Sequence, residues 1–252
     1  MFQNNVKEIF YLPPLYYNFY YFGDLLGFRL RPVAKVHPFE NDFELSLPNK
    51  KTVLIVCDPV WYAGTVVPEW VYEHLKVWQE KTGSTIFIDG SFQYMRWDET
   101  IAEPASKLDP NLTYRLICPT KALAIHGFRF SYMLVPEQER DALRYIYANS
   151  HGPGSVHGLR FAYCAMKHLS SREGNRKLLN YIVKIFDSMC SNDMFTEVIM
   201  RNSGYFVFGK LNHEKINKSY LSMDGEFFEQ SRYPDYSRVN ILSPDTQSYL
   251  ND

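Results

Sequence analysis

Residues 52–90 read TVLIVCDPVWYAGTVVPEWVYEHLKVWQEKTGSTIFIDG, and this stretch decides the fold class. Its two ends, TVLIVC (52–57) and STIFIDG (84–90), are short apolar runs rich in β-branched residues, as is typical of strands buried on both faces of a sheet. Between them, residues 68–82 repeat apolar side chains at helical spacing, and Gly83 follows as a helix-ending residue. A strand, a helix and a second strand in this order predict parallel pairing.

The same alternation continues on both sides of this stretch. Further predicted strands, each bounded by Pro, Gly or Asp, are VKEIFYL (6–12), FRLRPVAKV (28–36), TYRLICP (113–119) and GFRFSYMLV (127–135). Residues 16–26 predict a second crossover helix that ends near Gly27. We therefore predict a large α/β domain over residues 1–150, with a mostly parallel sheet and flanking helices.

The pattern changes after residue 135. Apolar side chains recur at helical spacing over residues 136–150, 155–169 and 171–192, which predicts three helices. Two strand-like runs follow, GYFVFGKL (204–211) and YSRVNIL (236–242). Ser170 and Glu173 match a capping box at the start of the third helix. These elements predict a small C-terminal α+β domain over residues 151–252.

Composition excludes several classes of protein. The chain has 252 residues, of which 46% are hydrophobic and 22% charged, and this predicts a globular protein rather than a disordered or fibrous one. Its 27 Lys and Arg residues balance 28 Asp and Glu residues, so no net positive charge favours binding to nucleic acid or to an anionic membrane.

Cysteine and hydropathy patterns exclude other classes. The four cysteines are far apart, with no CxxC pair and no histidine at ligand spacing, so we predict neither a metal site nor a disulfide scaffold. No run approaches the ~20 apolar residues that a membrane span requires. The first residues, MFQNNVKEIF, show no secretion signal, so we expect a cytoplasmic location.

The segment with the clearest chemical pattern is CPTKALAIHGFRFSY, residues 118–132. Lys121 follows a predicted strand and a Pro-Thr turn, and Arg129 comes eight residues later, just after Gly127. Strand ends are where an open α/β sheet presents its ligand-binding groups. The segment resembles the cofactor-lysine region of the aspartate aminotransferase-like (fold type I) pyridoxal phosphate enzymes, in which Ser-x-(Ser/Ala)-Lys is followed by Gly-x-Arg.

Other segments resemble the same family in the same order along the chain. IFIDGSF places Asp89 at the family's acidic position, and DPVWYAG (58–64) is similar to its Asn-Pro-x-Asn-Pro-Thr-Gly loop. YLPPLYYNF (11–19) looks like the family's Pro-x-Tyr segment, which puts Tyr16 at the aromatic position. YSRVNI looks like a small-domain strand with Arg238 at the substrate arginine. A shared order across several segments is harder to obtain by chance than one motif.

The resemblance implies a pyridoxal phosphate-dependent aminotransferase that acts on an amino acid and its 2-oxo acid. It assigns to Lys121 the internal aldimine and the role of general base. Asp89 would pair with the pyridine nitrogen, which makes the ring an electron sink. Tyr16 would stack on that ring.

Three further positions complete the implied site. Arg129 would bind the cofactor phosphate and Arg238 the substrate carboxylate, because a guanidinium presents a planar pair of donors. Cys118 stands where a serine usually helps to hold the phosphate, and a thiol is the weaker donor. The family forms its active sites at a dimer interface, so the resemblance also implies a homodimer.

The sequence departs from the family pattern at several positions. Phe92 replaces the tyrosine, and Trp61 the asparagine, that hydrogen-bond the cofactor's ring oxygen, and Tyr94 is a possible substitute donor. The resemblance also starts at the Pro-x-Tyr region, without the earlier Gly/Ser/Thr loop that holds the phosphate. The alternative is therefore a truncated, non-catalytic or partner-dependent module, with its phosphate-binding half-site absent or supplied by another chain.

Two other interpretations stay open at this point. The residues above also have purely structural readings: a surface loop lysine for Lys121, a turn cap for Asp89, ion-paired surface groups for Arg129 and Arg238, and a core aromatic for Tyr16. A doubly wound nucleotide-binding protein is the third functional hypothesis. Neither GxGxxG nor GxxxxGK[ST] follows the first strand, which argues against it.

Overall fold

The structure is a computed structural model of the 252-residue chain. The residues that it describes are 6–35, 42–97, 104–125, 127, 130–152, 156–171, 173–198, 202–216, 222–224, 235–244, 246 and 250. His126 and Arg129, both in the predicted lysine segment, lie outside them.

A six-stranded sheet forms the first part of the fold. Its strands are β1 (Glu8–Tyr11), β2 (Arg29–Pro32), β3 (Val53–Cys57), β4 (Thr85–Gly90), β5 (Thr113–Ile117) and β6 (Tyr132–Leu134). The spatial order is β2-β1-β3-β4-β5-β6, and every pair is parallel except β5 with β6. The mostly parallel sheet predicted from the sequence is therefore confirmed.

Two helices make the predicted crossovers. α1 (Tyr17–Leu26) connects β1 to β2, and α2 (Glu69–Thr82) connects β3 to β4. Gly27 and Gly83 end these helices with φ values of 71° and 64°, in the left-handed region that glycine enters without a Cβ clash. The two glycines that the sequence marks as helix ends therefore have that role.

Two predicted strands are shorter than the sequence indicates. Among its described residues, 28–35, the run FRLRPVAKV forms a strand only over β2, which pairs with β1 from Arg29 to Pro32. Among the described residues of GFRFSYMLV, 127 and 130–135, the strand covers Tyr132–Leu134 and is antiparallel to β5.

The C-terminal part contains the predicted helices and a second sheet. Its helices are α4 (Arg140–His151), α5 (Val156–Ser171) and α6 (Glu173–Ser191), and its strands are β7 (Phe195–Val198), β8 (Phe206–Leu211), β9 (Ser222–Asp224) and β10 (Tyr236–Asn240). The strands form an antiparallel sheet in the order β7-β8-β10-β9. The capping-box prediction is wrong, because Ser170 lies inside α5 instead of preceding α6.

The largest hydrophobic core joins the two sheets. It combines the buried faces of α6, β8 and β10, including Ile182, Phe208 and Val239, with residues 60–63 and Phe92 from the loops at the end of the parallel sheet. A second core lies between α2 and the parallel sheet, and a third lies beneath α1. The loops that hold the candidate site are thus packed against the C-terminal elements.

Candidate functional site

The predicted site lies at the carboxyl ends of β3, β4 and β5. In the sheet register Cys57 is the partner of Asp89, and Asp89 is the partner of Leu116, so these three strands end side by side. The short helix α3 (Pro119–Ala122) follows β5 and carries Lys121. Parallel pairing therefore brings the predicted acidic residue and the predicted lysine to the same edge of the sheet.

Asp89 is oriented by Ser91, a residue that the sequence analysis missed. The Asp89 Oδ1 atom accepts hydrogen bonds from the Ser91 backbone N at 3.1 Å and from Ser91 Oγ at 2.5 Å. Within the described parts of the chain, its Oδ2 atom accepts no hydrogen bond. The Asp-x-Ser spacing is typical of a side-chain turn and was a usable signal for this contact.

Cys118 also contacts Ser91. Its Sγ atom lies 3.5 Å from Ser91 Oγ, within hydrogen-bond range for sulfur. Ser91 therefore links the acidic residue at the end of β4 with the cysteine that precedes α3.

Lys121 lies over the ring of Phe92. The Lys121 Nζ atom is 4.3 Å from the Phe92 ring centroid, which is a cation–π distance. Phe92 is buried, and it also packs against Tyr205 and Phe206 of the C-terminal part, with ring centroids 5.5 and 6.1 Å away. The position where the family has a tyrosine is thus part of the core beneath the lysine.

Tyr16 lies at the start of α1, between charges of opposite sign. Its ring meets that of Trp61 edge to face, at 5.0 Å between centroids. The pKa of Tyr16 is raised to about 12, mainly by burial and then by a hydrogen bond with Tyr17; Asp89 contributes to the rise and Arg238 opposes it. Tyr16 therefore lies within electrostatic range of both Asp89 and Arg238.

Arg238 lies on β10 with its guanidinium against two aromatic rings. The Cζ atom is 4.3 Å from the ring centroid of Phe206 and 5.3 Å from that of Trp61. Burial lowers the pKa of Arg238 below its ordinary value, and interactions with Tyr205 and Tyr16 oppose that shift. The contacts with Phe206 and Trp61 are not visible in the sequence, because the three residues come from distant segments.

Asp89 and Lys121 both affect the pKa of the buried Cys57 thiol. Burial is the main reason that the pKa of Cys57 is raised; Asp89 raises it further and Lys121 lowers it. The fold thus brings together Lys121, Asp89, Tyr16 and Arg238, four of the residues predicted from the sequence. Arg129 lies outside the described residues.

Tyr94, the substitute donor named from the sequence, is hydrogen-bonded to another tyrosine. It lies in a 3₁₀ turn after β4, and its hydroxyl is 3.2 Å from that of Tyr132 on the antiparallel edge strand. Trp61, at the asparagine position, is 9% exposed and packs edge to face on Tyr62.

The loop that carries Trp61 is closed by the half-buried carboxylate of Asp58. Asp58 Oδ1 accepts a hydrogen bond from the Val67 N–H at 2.9 Å, and Asp58 Oδ2 accepts one from the Tyr72 hydroxyl at 2.6 Å. Burial raises the pKa of Asp58, while the bonds from Tyr72 and Val67 oppose the rise. Tyr72 on α2 therefore stabilises the ionised carboxylate at the base of this loop.

We expect Tyr72→Phe to lower the free energy of unfolding by about 1.5–3 kcal/mol at pH 7, the usual contribution of a hydrogen bond to a charged group. The pKa of Asp58 is higher in the folded protein than in the unfolded chain. The contribution of the Asp58 carboxyl to stability is therefore complete at a pH below its unfolded pKa, and it is lost as the pH rises through its folded pKa. Without the Tyr72 bond that folded pKa rises further, so the variant loses most stability at neutral pH and less under acid conditions.

Urea unfolding of both proteins at several pH values between 4 and 7 measures this difference. Tyr181→Phe, on the exposed surface of α6, is the matched control and should unfold like the original protein. If the loss of unfolding free energy in Tyr72→Phe did not change with pH, the loss would be due to packing and not to the Asp58 carboxylate.

The described residues also bear on the presence of metal sites and membrane-spanning helices. They contain no group of three or more His, Cys, Asp or Glu side chains arranged to hold a metal ion. Among the same residues, no helix has both the length and the apolar character needed to cross a membrane.

Comparison with known proteins identifies the fold and not the sequence family. No protein-family model matches the sequence, and no curated protein matches it. Solved structures do match it over 98% of its length.

Three solved structures illustrate this likeness. A Thermus thermophilus aspartate aminotransferase double mutant matches with a TM-score of 0.70 at 14% identity, over 69% of its own chain. An aminotransferase from Staphylococcus aureus matches with a TM-score of 0.76 at 13% identity, over 69% of its own chain. A pyridoxal phosphate-bound putative aminotransferase from Clostridium difficile 630 matches with a TM-score of 0.77 at 15% identity, over 70% of its own chain. The resemblance predicted from the sequence is thus confirmed at the level of the fold, which is aspartate aminotransferase-like.

Proposed function

We propose that the protein is a pyridoxal phosphate-dependent aminotransferase that acts on an amino acid and a 2-oxo acid. One observation carries the proposal: the fold brings a lysine, a carboxylate and an arginine from three distant segments to one end of the sheet. Lys121 Nζ lies 4.3 Å from the ring centroid of Phe92, and that ring packs on Phe206 at 6.1 Å. Arg238 Cζ lies 4.3 Å from the Phe206 ring centroid, and Asp89 lies at the end of β4, three residues before Phe92. A fold alone hosts many activities, so the proposal depends on these residues.

The side chains present suit the ring end of this cofactor. Asp89 is oriented by Ser91 through one oxygen, and within the described residues its other oxygen accepts no hydrogen bond, so it can accept one from a ring N–H. Lys121 supplies a primary amine, the group that reacts with an aldehyde. Tyr16 offers an aromatic face. The proposed phosphate ligands are Arg129 and Cys118.

Each residue then has a defined chemical task. Pyridoxal phosphate, when bound, supplies an aldehyde for amine exchange and a ring that stabilises negative charge. Lys121 would remove and return the proton on the substrate α-carbon as general base and acid. Asp89 would keep the ring nitrogen protonated, since an adjacent carboxylate favours the charged form. Arg238 would hold the substrate carboxylate and so align the α-carbon with Lys121.

A second candidate function is cofactor or carboxylate binding without efficient turnover, in a module that needs a partner chain. Phe92 and Trp61 favour it, because both are buried and neither offers the hydroxyl or amide that the family places at the ring oxygen. Co-purification with a separate chain that carries a phosphate-binding loop would support this candidate over the first.

We also propose a homodimer. Large apolar side chains are exposed on α1, α4 and α5, namely Tyr21, Leu25, Tyr145, Leu159 and Tyr163. Large exposed apolar surface marks interaction sites on soluble proteins, and we propose that these side chains contribute to the interface. Sedimentation of the purified chain over a range of concentrations tests this part of the proposal, and a monomer throughout would refute it.

Cofactor trapping tests the main proposal. The full chain is incubated with pyridoxal phosphate, reduced with borohydride, digested and analysed by mass spectrometry. We expect one modified peptide, the one that contains Lys121. Absence of modification, or equal modification of surface lysines such as Lys81, would refute the proposal.

A further inference from the structure

The Arg238 guanidinium contacts two aromatic rings. Phe206 begins β8, and the register places it opposite Asn240, two residues beyond Arg238 on β10. Diagonal neighbours of this kind on one face of a sheet are within side-chain reach. The guanidinium Cζ is consequently 4.3 Å from the Phe206 ring centroid, and Trp61 approaches it from the loop after β3 at 5.3 Å.

Trp61 is itself fixed from several directions. Its ring contacts Tyr16 at 5.0 Å and 88°, Tyr17 at 5.8 Å and Tyr62 at 5.2 Å. Tyr62 is fully buried and packs in turn on Phe208 of β8. Trp61 therefore contacts both the aromatic residue of the proposed cofactor site and the arginine of the proposed carboxylate site.

These ring contacts affect how the Arg238 guanidinium binds a carboxylate. An aromatic ring attracts the flat face of a guanidinium, and a carboxylate binds to its N–H edge, so the two interactions do not compete. Partial removal from water also strengthens the attraction between the arginine and an incoming carboxylate. A guanidinium whose plane is held by two rings loses less rotational freedom when it binds.

We propose that Trp61 is a positioning residue for carboxylate binding: together with Phe206 it holds the guanidinium of Arg238 in place. The inference rests on the proposed function only in taking Arg238 as the carboxylate-binding arginine. Tryptophan at this position thus lacks the amide of the family's asparagine and supplies a ring contact to Arg238 instead.

The test measures binding of 3-phenylpropanoate, a carboxylate without an amine, to the full chain by calorimetry, without cofactor. We expect Trp61→Leu to raise the Kd about fivefold to thirtyfold, which is the range expected for loss of a partly buried cation–π contact. Trp61→Phe keeps a ring and should recover most of the affinity. Trp70→Leu, on α2 away from the site, should bind like the original protein.

A double-mutant cycle separates positioning from general disruption. In the Arg238→Gln background, Trp61→Leu should have no further effect on Kd, since the residue that it orients is absent. Additive effects would overturn the proposal, as would an unchanged Kd in Trp61→Leu. If Trp61→Leu does not fold, Phe206→Leu is the second variant, and it too must weaken binding in a way that depends on Arg238.

The outcomes also separate this inference from the proposed function. Trapping of the cofactor on Lys121 together with no binding of 3-phenylpropanoate would overturn only the role of Trp61 and Arg238. Binding that depends on Trp61 together with no trapping would sustain the inference and refute the aminotransferase proposal.

Discussion

Lys121→Ala should abolish covalent retention of pyridoxal phosphate and lower transamination turnover by at least about a hundredfold, the low end of the contribution of a positioned acid–base group. The physical reason is that the variant has neither the amine that attaches to the aldehyde nor the group that moves the α-proton. Borohydride trapping and single-turnover assays with amino acid mixtures measure the two effects separately.

Two companion variants make this prediction specific to the amine. Lys121→Arg keeps a cation that can lie over Phe92, 4.3 Å from Nζ in the original protein, but a guanidinium does not attach to an aldehyde in the same way. It should therefore unfold like the original protein and still fail to retain the cofactor. Lys81→Ala, on the exposed side of α2, should retain full activity. Turnover by Lys121→Ala within tenfold of the original would contradict the assignment.

Phe208→Ala should have the largest effect on stability, a loss of about 3–5 kcal/mol in the free energy of unfolding. Phe208 is 0% exposed at the centre of β8, opposite Arg238, and its ring packs on Tyr62 at 5.1 Å and on Tyr236 at 5.5 Å. Removal of the ring leaves a cavity in the core that joins the two sheets. It also removes the support of Tyr62, the neighbour of Trp61 in the loop after β3.

Urea unfolding followed by circular dichroism measures this loss. Phe22→Ala is the matched control, because Phe22 is 49% exposed on α1 and surface substitutions usually change stability by about 0.5 kcal/mol or less. A loss below about 1 kcal/mol for Phe208→Ala would show that the core between the sheets does not depend on this side chain.

Local patterns were enough to predict the parallel part of the fold. Apolar runs of four to six residues, separated by a helical repeat and closed by Gly27 or Gly83, define two βαβ units without any distant contact. Chain order then places the residues after β4 and β5 at one edge, so Asp89 and Lys121 were predictable as neighbours. The helix predicted over 171–192 is α6, Glu173–Ser191, but Ser170 does not cap it because α5 continues to Ser171.

The amino-acid sequence by itself determined the fold class, the crossover helices and the edge of the sheet at which Asp89 and Lys121 lie, because these follow from periodicity and chain direction. Only the tertiary structure decided what surrounds Arg238 and Phe92. The contacts of Arg238 with Trp61 and Phe206, and of Lys121 with Phe92, join side chains whose meeting depends on the packing of the C-terminal sheet against the loops of the parallel sheet. Packing between distant segments leaves no periodic signal in the chain, and for that reason the structure was needed to find it.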